Sequence, residues 1–250
     1  MKKYELTDET LTIGPITLHR VKALVAFTGV EVGETGGWVE KEANLDQSGN
    51  AWVSGNACVS GDARVYGNAW VYGNACVYGN AWVYGNAWVY GDARVYGDAW
   101  ASGNACVSGD ARVYGDAWVY GNACVSGDAW VSGNARVYGN AWVYGNACVS
   151  GNAWVSGNAR VYDNKHYMAI GPIGSRDDTI TFTRNKKGGI FASVGCFFGT
   201  LAEFRAKVSD THGGNVHAQA YLMAAQLAEL RIDTTPIKTD PEEPVEESHE

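Results

Sequence analysis

Five histidines and six cysteines are the side chains of this 250-residue sequence best able to move a proton or form a covalent bond. An acyl acceptor must lose a proton as it attacks a thioester carbonyl, and a well-placed imidazole would be the base. His166 is the histidine closest to a plausible site of that kind; His19, His212, His217 and His249 stand elsewhere. Cys196 precedes His212 and His217, a thiol and two bases in one stretch of sequence. Sequence proximity is not spatial pairing, and Gly195-Cys196-Phe197 on a strand reads as buried packing. Gly174-Ser175-Arg176-Asp177 could form a backbone nest for an anion with Arg176 as its charge partner, although a polar turn is the plainer reading. The other cysteines, Cys58, Cys76, Cys106, Cys124 and Cys148, have no histidine or acid at ligand spacing, so no metal site is expected. No cofactor is expected either.

The elements that must position these groups are dominated by one repeat. From Gly49 to Gly157 a glycine falls at every sixth residue, nineteen times, in a unit Gly-Asn/Asp-Ala-x-Val-x. On an extended strand the Ala and the Val share one face, and the variable residues take the other. All nineteen Ala sites hold Ala, and every Val site holds Val except Ala101, as a narrow interior demands. Gly-Asn and Gly-Asp then form corners. Three hexads per turn predict a triangular coil of 18 residues, the left-handed parallel β-helix of hexapeptide repeats, with about six coils. The variable site after Ala agrees with this: residues 18 apart match in 7 of 16 cases, against 5 of 17 at a lag of 12.

An 18-residue coil sorts the outward tryptophans into columns. One face carries Trp52, Trp70, Trp88 and Trp142, and the next carries Trp82, Trp100, Trp118 and Trp154, flanked by Tyr72, Tyr90, Tyr84 and Tyr120. Aromatic surface on this scale calls for a cover, either a protein partner or another copy of the chain. The competing reading is that the rings cover one another. The expected contact surface is Trp70, Trp82, Trp88, Trp100 and Trp118 with the four tyrosines.

Residues 1–36 read as an N-terminal β cap, 37–163 as the solenoid and 164–232 as a small α+β domain docked on the last coil. In that domain Thr179–Asn185 and Gly189–Cys196 form a hairpin. Thr200 and Glu203 make a capping box, and Asn215 caps a second helix with an apolar stripe of Val216, Ala220, Met223, Leu227 and Leu230. Residues 233–250 read as a disordered acidic tail. That tail supplies -6 of the net charge of -8, while the repeats hold six Asp and five Arg. Without an acidic or basic stripe on the rod, nucleic-acid mimicry and nucleic-acid binding are both disfavoured. The opening residues lack the apolar run of a signal peptide and no stretch reaches about 18 apolar residues, so a cytoplasmic location, no membrane and free thiols are expected.

Three blocks extend the reading to a family. Gly33-Glu34-Thr35-Gly36-Gly37-Trp38-Val39-Glu40 with Asn44-Leu45, then Gly171-Pro172-Ile173-Gly174-Ser175-Arg176, then Gly195-Cys196-Phe197-Phe198-Gly199-Thr200-Leu201 with Phe204 and Thr211-His212-Gly213, resemble phage and prophage hexapeptide-repeat proteins. The repeat itself resembles proteins labelled acetyltransferases. The resemblance implies a left-handed β-helix, a phage or mobile-element origin and a homotrimer. Acyltransferases of this fold use a histidine base and bind acyl-CoA between coils, yet the nineteen hexads hold no histidine. The expected function is a non-enzymatic interaction or scaffold protein that interferes with a host process or defence system. The alternative is a CoA-dependent acyltransferase using His166.

Overall fold

The computed structural model describes residues 1–235. Strands β1 (Tyr4–Ile13) and β2 (Ile16–Ala23) form an antiparallel hairpin, and β3 (Thr35–Val39) pairs with β2. Nineteen two-residue rungs follow, from Trp52–Val53 to Arg160–Val161, each paired in parallel with the rung 18 residues away. The rungs stack into three faces of a parallel β-solenoid, and β3 is the first rung of one of them. The stack has seven turns, one more than the hexads suggest. An irregular first turn completes it, with Trp38 beside Cys58, Leu45 bridging Val65, and Trp52 beside Trp70.

Inward Ala and Val are fully buried along the rod, from Ala51 and Val53 to Ala159 and Val161. The corners are equally tight. Gly85 has φ 72°, and a Cβ there would lie 2.9 Å from the Gly103 nitrogen. One corner carries an unbroken amide ladder, Asn50 to Asn68, Asn86, Asn104, Asn122 and Asn140, with steps of 2.9–3.1 Å. An amide both donates and accepts, so it passes the chain on. Where Asp92 follows Asn74 the carboxylate accepts but has no proton to hand to the next corner.

Between turns, the outward residue of each rung donates its N–H to the Ala carbonyl 17 residues ahead, as Trp52 does to Ala69 and Trp100 to Ala117. This ladder leaves Ala carbonyls open at the first turn and outward N–H groups open at the last. The flanking segments meet those needs. Lys3 Nζ donates to the Ala51 carbonyl at 2.8 Å, and burial pulls its pKa down to about 8. The buried Asn44 amide donates to Ala63 and Gly61. At the other end Asn164 Oδ1 accepts from the Cys148 N–H, and Thr181 Oγ1 accepts from the Trp154 N–H at 2.9 Å. The Tyr167 hydroxyl donates to the Cys148 carbonyl.

The C-terminal domain is a four-stranded antiparallel sheet in sequence order, β4 (Tyr167–Ile173), β5 (Asp178–Arg184), β6 (Ile190–Val194) and β7 (Phe197–Thr200), packed on α1 (Leu201–His212) and α2 (Val216–Arg231). The β5–β6 hairpin thus gains a strand on each side. Thr200 and Glu203 close the capping box, and Asn215 Oδ1 accepts from His217 and Ala218. The stripe on α2 does not face this core. Ala218, Tyr221, Ala224, Ala225 and Ala228 do, while Val216, Met223, Leu227 and Leu230 are exposed at 69%, 68%, 48% and 86%. Alanines let α2 lie close to α1 and the sheet, and Tyr221 fills the remaining space against Phe204. Of the expected tail, Asp233–Thr235 is held on the domain: the Asp233 N–H donates to Lys165 and Arg184 donates to the Thr235 carbonyl. Residues 236–250 lie outside the described residues.

Two substitutions test this packing. Ala99→Leu adds three carbons to a filled interior and should destabilise the rod by about 1–3 kcal/mol or more. Thr181→Val keeps the shape but strands the Trp154 N–H, at a cost of about 1–3 kcal/mol. Urea titrations followed by far-ultraviolet circular dichroism measure both, and unchanged midpoints would contradict the respective assignments.

Candidate functional site

Each outward slot after Ala sits over the same slot one turn away, so like side chains meet at the rung spacing of about 4.8 Å. On one face this makes a continuous ladder. Trp82, Trp100 and Trp118 stack face to face with centroids 5.3 and 4.8 Å apart and planes within 5°. Arg64 lies over Trp82 at one end, and Arg136 lies between Trp118 and Trp154 at 4.9 and 5.2 Å. Six planar groups therefore stack in register across six turns, the guanidiniums extending the π-stack as cation–π partners. Tyr66 with Tyr84 and Tyr120 with Tyr138 form parallel stacks beside it, and Tyr84 meets Trp100 edge-on.

The second face is broken. Trp52 is fully buried under Tyr4 and Phe27, and Trp70 packs toward the loop at Gly29. Trp88 meets Tyr72 edge-on, Tyr72 stacks on Tyr90, and Cys106 and Cys124 then interrupt the column before Trp142 and Arg160. The third face carries Cys58, Cys76, Arg94, Arg112, Trp130 and Cys148. Trp130 lies beneath Arg112 and is 40% exposed, more open than any tryptophan of the expected surface. The Cys58 thiol donates to Cys76 at 2.6 Å, which draws Cys76 down to about 7 and pushes Cys58 up.

Trp70, Trp82, Trp88, Trp100 and Trp118 are thus all on the wall but only partly exposed. In the ladder the ring faces are occupied by neighbouring turns, leaving ring edges outward. Ring edges carry the positive end of the aromatic quadrupole, and the arginines add charge, so the wall suits oxygen-bearing, partly apolar partners. Stacking of a free base or sugar on a ring face is blocked inside the ladder. Arg64, Arg136 and Trp154 belong to this surface, and their 18-residue spacing was the signal for them.

His166 stands apart. It is buried at the junction between the last turn and the C-terminal domain, its ring edge-on to Tyr162. Its Nδ1 accepts from the Tyr162 N–H at 3.2 Å, and burial, reinforced by Arg184, holds its pKa below the usual imidazole range. With Nδ1 engaged, the neutral ring carries its proton on Nε2 and is not poised as a base. Arg176, Cys196 and His212 instead come together, lining a cavity of about 160 Å³ with Asp178, Lys207 and Tyr221. Cys196 is exposed there and not buried on a strand, because Gly195 at φ 55° makes the β6–β7 turn and swings it outward. Two cations, a carboxylate, a thiol and an imidazole around so small a space suit a small polar ligand.

Comparison with known protein families places the repeat. The model of the YdcK Beta solenoid repeat matches residues 57–73, 69–85, 75–91, 87–103, 105–121, 117–133, 129–145 and 141–157. Each window is close to one turn, and all lie within the rungs. No curated protein matches the chain. Between residues 57 and 157 the chain is a β-solenoid whose repeats are similar to those of that family.

Proposed function

We propose that this protein is a non-enzymatic scaffold of phage or prophage origin that presents the tryptophan flank of a rigid cytoplasmic rod to a host or phage protein, and so interferes with a host process or defence system. The observation that carries this is the uninterrupted ladder from Arg64 to Trp154, which offers a long recognition surface while no loop breaks the hexads to build a pocket. Large aromatics and arginines are the residue types that dominate interface energetics. The blocked ring faces favour a folded protein over a single strand of nucleic acid, which binds by stacking bases on open rings. Similarity to phage hexapeptide-repeat proteins in the blocks at Gly33, Gly171 and Gly195 supports the origin. Acyl transfer is the weaker reading, since the Nδ1 of His166 already accepts from the backbone.

The test is the double substitution Trp88→Ser and Trp100→Ser, to a small residue that the outer wall carries in the slot after Val, as at Ser126. Partner capture from host lysate, with the captured protein identified and its affinity measured, should fall at least tenfold while the far-ultraviolet spectrum stays β-rich. Equal capture by both proteins would contradict the proposal. A thermal shift with coenzyme A, lost in His166→Ala, would favour acyl transfer instead.

A further inference from the structure

The cavity shared by Arg176 and Cys196 joins an apolar surface to a charged one. On α1, Phe204, Lys207, Val208 and Thr211 fall at i, i+3, i+4 and i+7, so a single helical face lines it. Phe204 and Val208 are buried and, with Val194 and Phe197, supply apolar walls. Arg176 and Lys207 are exposed, which puts positive charge at the mouth. Tyr221 is only 6% exposed, and its hydroxyl comes up against Gly174, where an added Cβ would clash with it. Burial, reinforced by Asp178 and opposed by Arg176, holds its pKa above the usual phenol range, so the hydroxyl keeps its proton and can donate it. Among the described residues that hydroxyl, the Arg176 guanidinium and the Lys207 ammonium have no hydrogen-bond or ion-pair partner. A buried tyrosine hydroxyl ordinarily has one. Asp178 and Arg176 both reach the Gly195 turn, 3.4 and 3.9 Å from where a Cβ would stand, yet they form no ion pair with each other.

We propose that this cavity binds a small organic monocarboxylate, its carboxylate held by Arg176, Lys207 and the Tyr221 hydroxyl and its apolar body lying against Phe204 and Val208. A guanidinium fork and a hydroxyl donor match the two oxygens of a carboxylate. The volume of about 160 Å³ limits the body to one ring or a short branched chain, because a cavity of about 150 Å³ lined by aliphatic and aromatic side chains takes benzene. Arg176 and Lys207 set against Asp178 leave one positive charge for the ligand to neutralise. Asp178 repels any second negative charge, which favours a monoanion over phosphate. An uncharged analogue of the same shape leaves the donors unmatched and is rejected. The site lies wholly within the C-terminal domain and does not depend on the tryptophan flank.

Isothermal titration calorimetry of the full chain with benzoate and with 3-methylbutanoate tests it. At least one of these acids should bind saturably, and at least tenfold more tightly than its own amide or inorganic phosphate. Arg176→Gln should weaken that binding at least tenfold and Tyr221→Phe, which keeps the buried ring, about fivefold, each with an unchanged far-ultraviolet spectrum. The bound acid should also slow alkylation of Cys196 by iodoacetamide while Cys148 on the rod reacts as before, because Cys196 lines the same cavity. The Trp88→Ser, Trp100→Ser protein should bind the acid as the native chain does, which separates this site from the proposed partner surface. No saturable binding of either acid, equal binding of the amides or of phosphate, or binding indifferent to Arg176→Gln with Cys196 unprotected would overturn it.

Discussion

The backbone ladder between turns is the interaction on which the rest of this molecule depends. An outward residue donates to an alanine carbonyl 17 residues ahead, and that offset sets an 18-residue turn, puts identical slots over one another and leaves unmatched polar groups at both ends. A solenoid cannot hide its ends as a closed barrel does, so the non-repetitive segments have a defined task. Lys3 and Asn44 supply donors where carbonyls are open, and Asn164, Thr181 and Tyr167 complete the far edge. A lysine buried against backbone carbonyls, at the cost of a depressed pKa, shows how strongly the first turn needs a donor.

The same offset organises the surface. Rung spacing and the contact distance of stacked rings nearly coincide, so Trp82, Trp100 and Trp118 fill one another's faces and Arg136 fits between two indoles as a further plate. The wall is both a self-covered ladder and a candidate interface, because stacking consumes the faces and leaves the edges. These are complementary uses of one arrangement. The pairing of Cys58 with Cys76 has the same origin: two thiols in successive turns of one column are brought into contact.

The rod was legible because its signal recurs nineteen times, so the inward Ala and Val, the corner glycines and the tryptophan columns could be read directly. The turn count was not, since the first turn replaces a hexad with a 3-10 segment at Glu42–Asn44 and lets the Asn44 side chain do the work of a backbone rung. On α2 the apolar stripe was visible but its direction was not. Periodicity marks apolar faces without saying which one the chain covers, and close approach through Ala218, Ala224, Ala225 and Ala228 decided it. Cys196 was misread as packing because the effect of Gly195 on its direction is a matter of backbone turn geometry. The cavity it shares with Arg176 and His212 joins residues from three separate elements, which spacing along the chain does not reveal.

The central claim, stacking at a period of 18, is tested most directly by the cysteines, since each turn size predicts different neighbours. Mild oxidation of the native protein with diamide, followed by peptide mapping without reduction, should recover links between Cys58 and Cys76 and between Cys106 and Cys124. Cys148, stacked on Trp130, should remain a free thiol. Intramolecular links joining Cys148 to Cys124, or Cys76 to Cys106, would place these residues in different columns and contradict the three-sided stack.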